Sequence, residues 1–265
     1  DHAYGERTPE KSETKILEQA AKIAIERAKI EKSMVDYYMA GDLLNQIISA
    51  GYSARQLSIP YFGLYGACST CAMSLALAGM VIDGGFADYV LVACSSHYQT
   101  AERQYRYPIE LNIQRKTTSQ YTVTGAGAAV LASSGTGPKL THATVGKVVD
   151  LGLKDVHDMG GAMAPAAADT LLTHFADTGR GPKDYDLILT GDLASFGSEM
   201  LKELVRDNGV ELGANYRDCG LMLFDTKSQH VGAGGSGCAC SAVVTFGHVL
   251  KEMDKGTYKN VLLFA

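Results

Sequence analysis

The chain has 265 residues, of which 24 are Lys or Arg and 29 are Asp or Glu, so its formal net charge is −5. Hydrophobic residues make up 46% and charged residues 20%. This composition excludes a disordered chain, and the acidic balance argues against a nucleic-acid partner. The longest apolar stretch, residues 67–82, contains Ser69, Thr70 and Ser74. It is therefore too short and too polar to span a membrane.

Helices and strands are predicted to alternate along the first half of the chain. Apolar residues recur with helical spacing from Ile16 to Ala28, and Thr8 or Ser12 can cap that helix. Residues 71–82 are small and apolar all round, which predicts a fully buried helix. The remaining elements are a strand at 36–40, a helix at about 43–50, a strand end or turn at 64–68 and a buried strand at 89–94.

The second half repeats this order. Its predicted elements are helices at 162–176, about 198–206 and about 239–253, and strands at 186–190, 220–224 and 260–264. Asp36-Tyr-Tyr-Met-Ala-Gly-Asp-Leu43 lines up with Asp186-Leu-Ile-Leu-Thr-Gly-Asp-Leu193. The repeat predicts two duplicated α/β halves, residues 1–150 with an insertion at about 100–119, and residues 151–265.

The six cysteines predict reduced thiols rather than disulfides or a metal site. Cys68 and Cys71 have C-x-x-C spacing, but Cys238 and Cys240 form a poor second pair for zinc. We therefore predict no metal and no cofactor. Cys68 stands out because it follows a strand end and precedes a helix, whose free N–H groups favour the thiolate. The alternative is a small buried core cysteine.

Three stretches resemble the nucleophile region and the following strand of the thiolase-like condensing enzymes. They are Tyr65-Gly-Ala-Cys68-Ser, Asp88-Tyr-Val-Leu-Val-Ala93 and Thr124-Gly-Ala-Gly-Ala-Ala-Val-Leu131. The resemblance implies an α/β fold, the thiolase-like five-layered αβαβα sandwich made of two duplicated halves. It also implies a nucleophile position at Cys68 and a homodimer.

More narrowly, residues 61–71, 157–169 and 191–197 resemble the stage V sporulation protein AD family of spore-forming bacteria. Membership implies a binding protein for dipicolinic acid (pyridine-2,6-dicarboxylic acid), free or as its calcium chelate. It implies a part in uptake of this acid into the developing spore and in its release at germination. The expected location is intracellular, in the forespore or spore, peripheral to the inner membrane through other spore membrane proteins of the same transport complex.

The sequence departs from the condensing enzymes at the partners of the nucleophile. These enzymes need a His, with an Asn or second His, to polarise the thioester and stabilise the oxyanion. Gly191 occupies the predicted His position, and Ser236 appears where the Asn is expected. We therefore predict a non-catalytic protein. The alternatives are an active condensing enzyme or acyltransferase that uses Cys68 on acyl-CoA, and a scaffold that binds no small molecule.

The glycines and strand ends around Cys68 predict a ligand pocket. The predicted ligand-binding residues are Cys68, His97, Arg115, Gly191, Asp192, Gly235 and Ser236. Basic side chains that could line the entry are Arg103, Arg106, Arg115 and Lys116, although a solvated loop explains them as well. Tyrosines that could stack on a pyridine ring, or simply pack, are Tyr98, Tyr105, Tyr107 and Tyr121.

Other polar residues have competing interpretations. His157 and His230 are weaker candidates for ligand contact, whereas His2, His142, His174 and His248 are assigned to the surface or to packing. Asp42 and Asp192 occupy equivalent positions in the repeat. Their simplest role is to cap the following helix, and the alternative is ligand contact.

Overall fold

The computed structural model describes residues 2–106 and 115–265. The helices are α1 Pro9–Ala28, α2 Ile48–Leu57, α3 Thr70–Asp83, α4 Met159–Thr178, α5 Ala194–Asp207, α6 Cys219–Leu223, α7 Cys238–Val244 and α8 Leu250–Asp254. The strands are β1 Tyr37–Gly41, β2 Tyr61–Gly63, β3 Tyr89–Ser96, β4 Tyr121–Thr122, β5 Gly125–Ala132, β6 Leu187–Thr190, β7 Tyr216–Asp218, β8 Gly235–Ser236 and β9 Val261–Phe264.

The two main sheets share one strand order. In the first sheet the order is β2-β1-β3-β5, with β5 antiparallel to β3 and the other pairs parallel. In the second sheet the order is β7-β6-β9, and both pairs are parallel. The short strands β4 and β8 pair with each other, so that Tyr121 lies opposite Gly235 and Thr122 opposite Ser236.

Helices form three layers around the two sheets. α1 and α2 cover the outer face of the first sheet, with Leu17, Ala21 and Ile25 of α1 in its core. α4 and α5 cover the outer face of the second sheet. Between the sheets lie α3, packed on the first, and α7, packed on both and on α3. The molecule is therefore the five-layered αβαβα sandwich that the resemblance implies, and the fold-class prediction is confirmed.

Glycines allow two backbone approaches that fix this packing. A Cβ on Gly160 of α4 would lie 2.5 Å from the carbonyl oxygen of Leu193, and one on Gly197 of α5 would lie 2.7 Å from that of Gly160. A Cβ on Gly127 of β5 would lie 2.7 Å from the Cβ of Ala242 in α7. Larger residues would push these elements apart.

Three predicted elements differ from those observed. α2 begins at Ile48 instead of residue 43, because Asn45, Gln46 and Ile47 have left-handed backbone angles. The predicted strand at 220–224 is the short helix α6, which the Asp218 side chain caps at Leu221 N. α3 is only partly buried, since four of its residues, Thr70, Cys71, Ser74 and Ala78, are fully covered.

Candidate functional site

Cys68 lies in a tight turn between β2 and α3. Ala67 has a left-handed φ of 47°, and residues 67–69 form a 3-10 turn that leads directly into the helix. The hydroxyls of Ser69 and Thr70 donate to the carbonyls of Gly66 and Ala67, at 2.7 and 2.8 Å. An alanine in this conformation costs about 1 kcal/mol. The strained turn places a half-buried Cys68 at the boundary between the two halves.

The second half supplies the partner of Cys68. Asp192 follows β6, and its Oδ2 accepts hydrogen bonds from Gly237 N at 2.8 Å and from Ser236 Oγ at 3.2 Å. The same carboxyl group faces the Cys68 thiol and acts on it electrostatically. The structure thus brings together three of the predicted residues, Cys68, Asp192 and Ser236.

The environment of Cys68 disfavours the thiolate. Burial raises its pKa well above the usual range, and the charge and hydrogen bond of Asp192 raise it further. The Gly237 N–H acts in the opposite direction but is the smallest of these influences. Burial also raises the pKa of Asp192. Of the two alternatives for Cys68, this environment disfavours the activated thiolate, because burial and a neighbouring carboxyl group act against the helix dipole.

The two repeated aspartates have different roles. Asp42 accepts from Leu44 N and from Ala50 N in the first turn of α2, both at 2.7 Å, which fits the capping prediction. Asp192 does not cap α5. Asp218 takes that role instead, accepting from Leu193 N at 2.8 Å and from Ala194 N at 3.0 Å. The Asp192 side chain is therefore left to turn towards Cys68.

Gly191 and Gly235 contribute backbone rather than open space beside Cys68. A Cβ on Gly191 would lie 2.6 Å from the Cβ of Ala265 and 3.6 Å from that of Ser241. A Cβ on Gly235 would lie 3.2 to 3.3 Å from core atoms of Phe224, Val123 and Cys240. The second half therefore approaches Cys68 through the side chain of Asp192 and not through Gly191.

His97 is buried directly after the end of β3. Its Nδ1 accepts from Gln99 N at 3.1 Å. Burial lowers the pKa of His97, and the charges that act on it include Glu10 at the start of α1 and His2. These neighbours belong to the N-terminal part of the chain and not to the Cys68–Asp192–Ser236 group.

Arg115 lies on a pair of stacked tyrosines. The rings of Tyr98 and Tyr121 are parallel, with centroids 4.2 Å apart, and the edge of Phe224 meets Tyr121. The Arg115 guanidinium is 5.2 and 5.8 Å from the two ring centroids and is hydrogen-bonded to the Tyr98 hydroxyl. Because Tyr121 pairs with Gly235, this Arg115 cluster lies next to the glycine-rich turn of the site.

The other predicted entry residues are more scattered. Lys116 forms an ion pair with Asp155 at 3.0 Å, and Arg106 donates to the carbonyl of Ala101. Arg103 begins a 3-10 turn, and Tyr105, which ends it, packs against the buried cluster that contains Cys71. Tyr107 lies outside the described residues.

The weaker histidine candidates differ in exposure and in their described contacts. His157 is half-buried and its backbone N–H donates to Asp155, whereas His230 is exposed. His174 is a packing residue, as predicted, between Thr144 and Tyr185. In the described ranges no group of His, Cys, Asp and Glu side chains has the arrangement of a metal site.

Two sets of buried polar residues were not predicted from the sequence. Thr118, Ser119 and Gln120 have buried polar atoms, and the Gln120 side chain donates to the backbone carbonyl of Asp192. Glu13 is buried on α1 and accepts from Ser95 Oγ at 3.0 Å and from Thr100. The sequence does contain a signal for the burial of Glu13, because residues 13, 17, 21 and 25 lie on one face of the helix.

Comparison with known proteins identifies the family. The family model of stage V sporulation protein AD matches residues 1–265. The curated stage V sporulation protein AD of Bacillus subtilis (strain 168) is 48% identical over 256 residues, which cover 97% of this chain and 75% of the relative.

Solved structures of enzymes share the fold. A cysteine-to-serine variant of Xanthomonas campestris OleA, with bound lauric acid and lauroyl-CoA, has a TM-score of 0.65 and 14% identity. The alignment covers 95% of this chain and 78% of that one. The 3-oxoacyl-[acyl-carrier-protein] synthase III of Aquifex aeolicus VF5 has a TM-score of 0.62 and 16% identity, with 94% and 79% covered.

The described part of the chain contains no helix that is long and apolar enough to cross a membrane. The fold matches that of condensing enzymes at low identity, whereas the family model and the Bacillus relative match the sequence itself across almost its full length. The chain therefore belongs to the stage V sporulation protein AD family.

Proposed function

We propose that this sporulation protein binds dipicolinic acid without turning it over and takes part in its uptake into the developing spore and its release in germination. The family relationship supports the spore context. The environment of Cys68 supports the lack of turnover.

The single observation that carries the proposal is the pairing of Cys68 with Asp192. A condensing enzyme needs a nucleophilic thiolate and hydrogen-bond donors for the developing oxyanion. Here the thiol contacts a carboxyl group, which is an acceptor and raises the thiol pKa. The same carboxyl also engages the Gly237 N–H and the Ser236 hydroxyl, which are donors at this site.

The Arg115 cluster, formed by Arg115, Tyr98 and Tyr121, supports the choice of an aromatic acid. A guanidinium recognises a carboxylate through charge-assisted hydrogen bonds. Tyrosine faces stack on planar rings. These groups lie beside the glycine-rich turn. One end of the site therefore has side chains that complement a pyridine carboxylate.

Calorimetric titration with dipicolinic acid tests the proposal. We expect saturable binding that picolinate and benzoate reproduce poorly, because each has only one carboxylate. Arg115→Ala should weaken binding, whereas the matched change Lys116→Ala, at a residue paired with Asp155, should not. Absence of binding by the wild-type protein would overturn the proposal.

An active condensing enzyme or acyltransferase remains the second candidate. The observation in its favour is that Cys68 keeps a nucleophile-like position, after the strained Ala67 and at the start of α3. Incubation with acyl-CoA and mass spectrometry of the Cys68 peptide separates the two candidates. Stoichiometric acylation of Cys68 that is absent in Cys68→Ala would favour the enzyme.

The proposed context includes protein partners. We propose a homodimer, built through the central strand and helix region that includes α3, and peripheral association with the inner spore membrane through other membrane proteins of the transport complex. The acid arrives free or as its calcium chelate. Titrations with and without calcium distinguish these two forms of the ligand.

A further inference from the structure

Three consecutive residues beside the site have buried polar atoms without partners among the described residues. They are the hydroxyl oxygens of Thr118 and Ser119 and the amide oxygen Oε1 of Gln120. Ser119 and Gln120 are each only 3% exposed. Buried polar atoms are normally hydrogen-bonded, so three in a row mark a place where another molecule makes the missing bonds.

This segment is held rigidly against the glycine-rich turn. Ser119 O accepts from Ala233 N at 2.8 Å, and Tyr121 N donates to Gly234 O at 2.9 Å. Gly232 has a φ of +62°, and a Cβ there would lie 2.0 Å from Ser119 O. The unpartnered atoms are therefore not the result of a loosely packed loop, because the backbone on both sides is fixed by hydrogen bonds.

Gln120 connects the segment to Cys68. Its Nε2 donates to the backbone carbonyl of Asp192 at 2.6 Å, which fixes the orientation of the carboxamide. The side chain of Asp192 contacts the Cys68 thiol. Gln120 is thus linked to Cys68 through a single residue, Asp192.

We propose that Thr118, Ser119 and Gln120 form a recognition wall for the ligand, and that an acid bound there brings one proton with it at neutral pH. The inference rests on the proposed function. Gln120 Oε1 only accepts hydrogen bonds, so it requires an O–H or N–H donor, which a fully ionised dicarboxylate lacks. The two hydroxyls supply donors to the remaining carboxylate oxygens.

The charges around the wall favour the same conclusion. The charge of Asp192 acts on Cys68 in the 3-10 turn, Asp218 before α6, Cys219 in α6 and Cys240 in α7. All of these are neutral or negative. Arg115 provides one positive charge from the loop before β4, and the charge of the neighbouring Lys116 is paired with Asp155. A dianion beside Asp192 would therefore be undercompensated, whereas a monoanion would be matched by Arg115.

Variants that remove only the unpartnered hydroxyls give the sharpest test. Thr118→Val and Ser119→Ala break no hydrogen bond between described side chains, so thermal stability should stay the same or rise. Each should weaken dipicolinate binding by about three- to tenfold. The control Thr245→Val removes another buried unpartnered hydroxyl, further along the helical segment that begins with α7, and should leave affinity unchanged. Unchanged affinity in both wall variants would overturn the proposal.

Calorimetry in two buffers of different ionisation enthalpy measures the proton. We expect uptake of about one proton per ligand near pH 7, and an affinity that falls about tenfold per pH unit above neutrality. Binding that is independent of pH would overturn the inference while leaving dipicolinate binding intact. No binding at any pH would instead contradict the proposed function, so the two failures are distinguishable.

Discussion

At the scale of single residues, burial and the neighbouring Asp192 carboxyl group together disfavour the Cys68 thiolate. A helix start alone would favour the thiolate, but burial and an adjacent carboxyl group act more strongly in the opposite direction. The carboxyl group is available because Asp218 binds the N–H groups at the start of α5. Because Asp218 caps α5 in place of Asp192, the two repeated aspartates have different roles. Asp192 is thereby available to act on the Cys68 thiol.

Replacing Asp192 by Asn should activate Cys68. The change removes the negative charge and offers an amide donor to the sulfur, so the thiol pKa should fall and alkylation by iodoacetamide at pH 7 should accelerate about tenfold. Mass spectrometry of the Cys68 peptide over time measures the rate. Asp225→Asn, at an exposed position, is the control. Equal rates in the wild type and Asp192→Asn would show that Asp192 does not suppress the thiolate.

Glu13 should make stability depend on pH. Burial raises its pKa to about 8, and the negative charge of Asp42 adds to this. The folded state then holds a proton that the unfolded state releases above about pH 4.5, so stability is lost as pH rises towards 8. We expect the free energy of unfolding to fall by about 1–3 kcal/mol between pH 6 and 8, and Glu13→Gln to remove this decline.

Urea denaturation at several pH values checks the Glu13 prediction. Asp42 and Asp218, whose pKa values burial raises to about 6, lose their protons mainly below this window. Glu10→Gln, at an exposed residue on the same helix, should keep the wild-type slope. A Glu13→Gln variant that loses stability with pH as steeply as the wild type would show that Glu13 is not protonated in the folded protein.

At the scale of elements, one carboxylate organises the helices that follow β6 and β7. Asp218 accepts from the backbone at the starts of both α5 and α6, and from the Thr190 hydroxyl at 2.8 Å. This arrangement explains why residues 219–223 form a helix where the apolar run at 220–224 predicts a strand. Side-chain capping satisfies the first N–H groups and outweighs a short apolar pattern.

Asp218→Ala should therefore destabilise the second half of the molecule. Several buried donors lose their acceptor together, and we expect a loss of about 2–4 kcal/mol in the free energy of unfolding. Chemical denaturation monitored by circular dichroism measures it. Asp225→Ala removes comparable hydrogen bonds at an exposed turn and should cost less than about 0.5 kcal/mol. A similarly small effect at Asp218 would refute the capping role.

At the scale of the whole molecule, apolar side chains on and just after α3 are exposed. Met80 of α3 is 47% exposed and Phe86, three residues beyond the end of α3, is 73% exposed. Phe62 of β2 is 50% exposed. Apolar surface of this kind is typical of contacts between protein copies. The exposed face supports the proposed homodimer.

Sedimentation velocity tests the dimer. We expect the wild-type protein to sediment as a dimer, and Met80→Glu to shift it towards monomer, because a charge on this face is costly to bury. Tyr52→Glu, at an exposed aromatic residue of α2 on the outer layer, should leave the dimer intact. A monomeric wild type at micromolar concentration would contradict the proposal.

The sequence by itself determined the layered fold. Helical spacing in α1, the continuous apolar strand β3 and the repeated Asp-to-Leu octapeptide each reflect local periodicity or duplication, which is legible along the chain. The same signals placed Cys68 at a helix start and recovered β1, β6 and β9 within a few residues. The octapeptide repeat also marked Asp42 and Asp192 as a related pair.

Tertiary structure decided the chemistry of the site. The contact between Asp192 and Cys68 joins the two halves. It depends on Asp218, which accepts from the N–H groups at the start of α5, the role that the octapeptide repeat predicts for Asp192. The segment that contains Ser119 and Gln120 is held by backbone hydrogen bonds to a glycine-rich turn more than 100 residues later. Burial, and with it the pKa of each buried acid and thiol, is a property of the packed molecule, because desolvation depends on neighbours that are distant in the sequence.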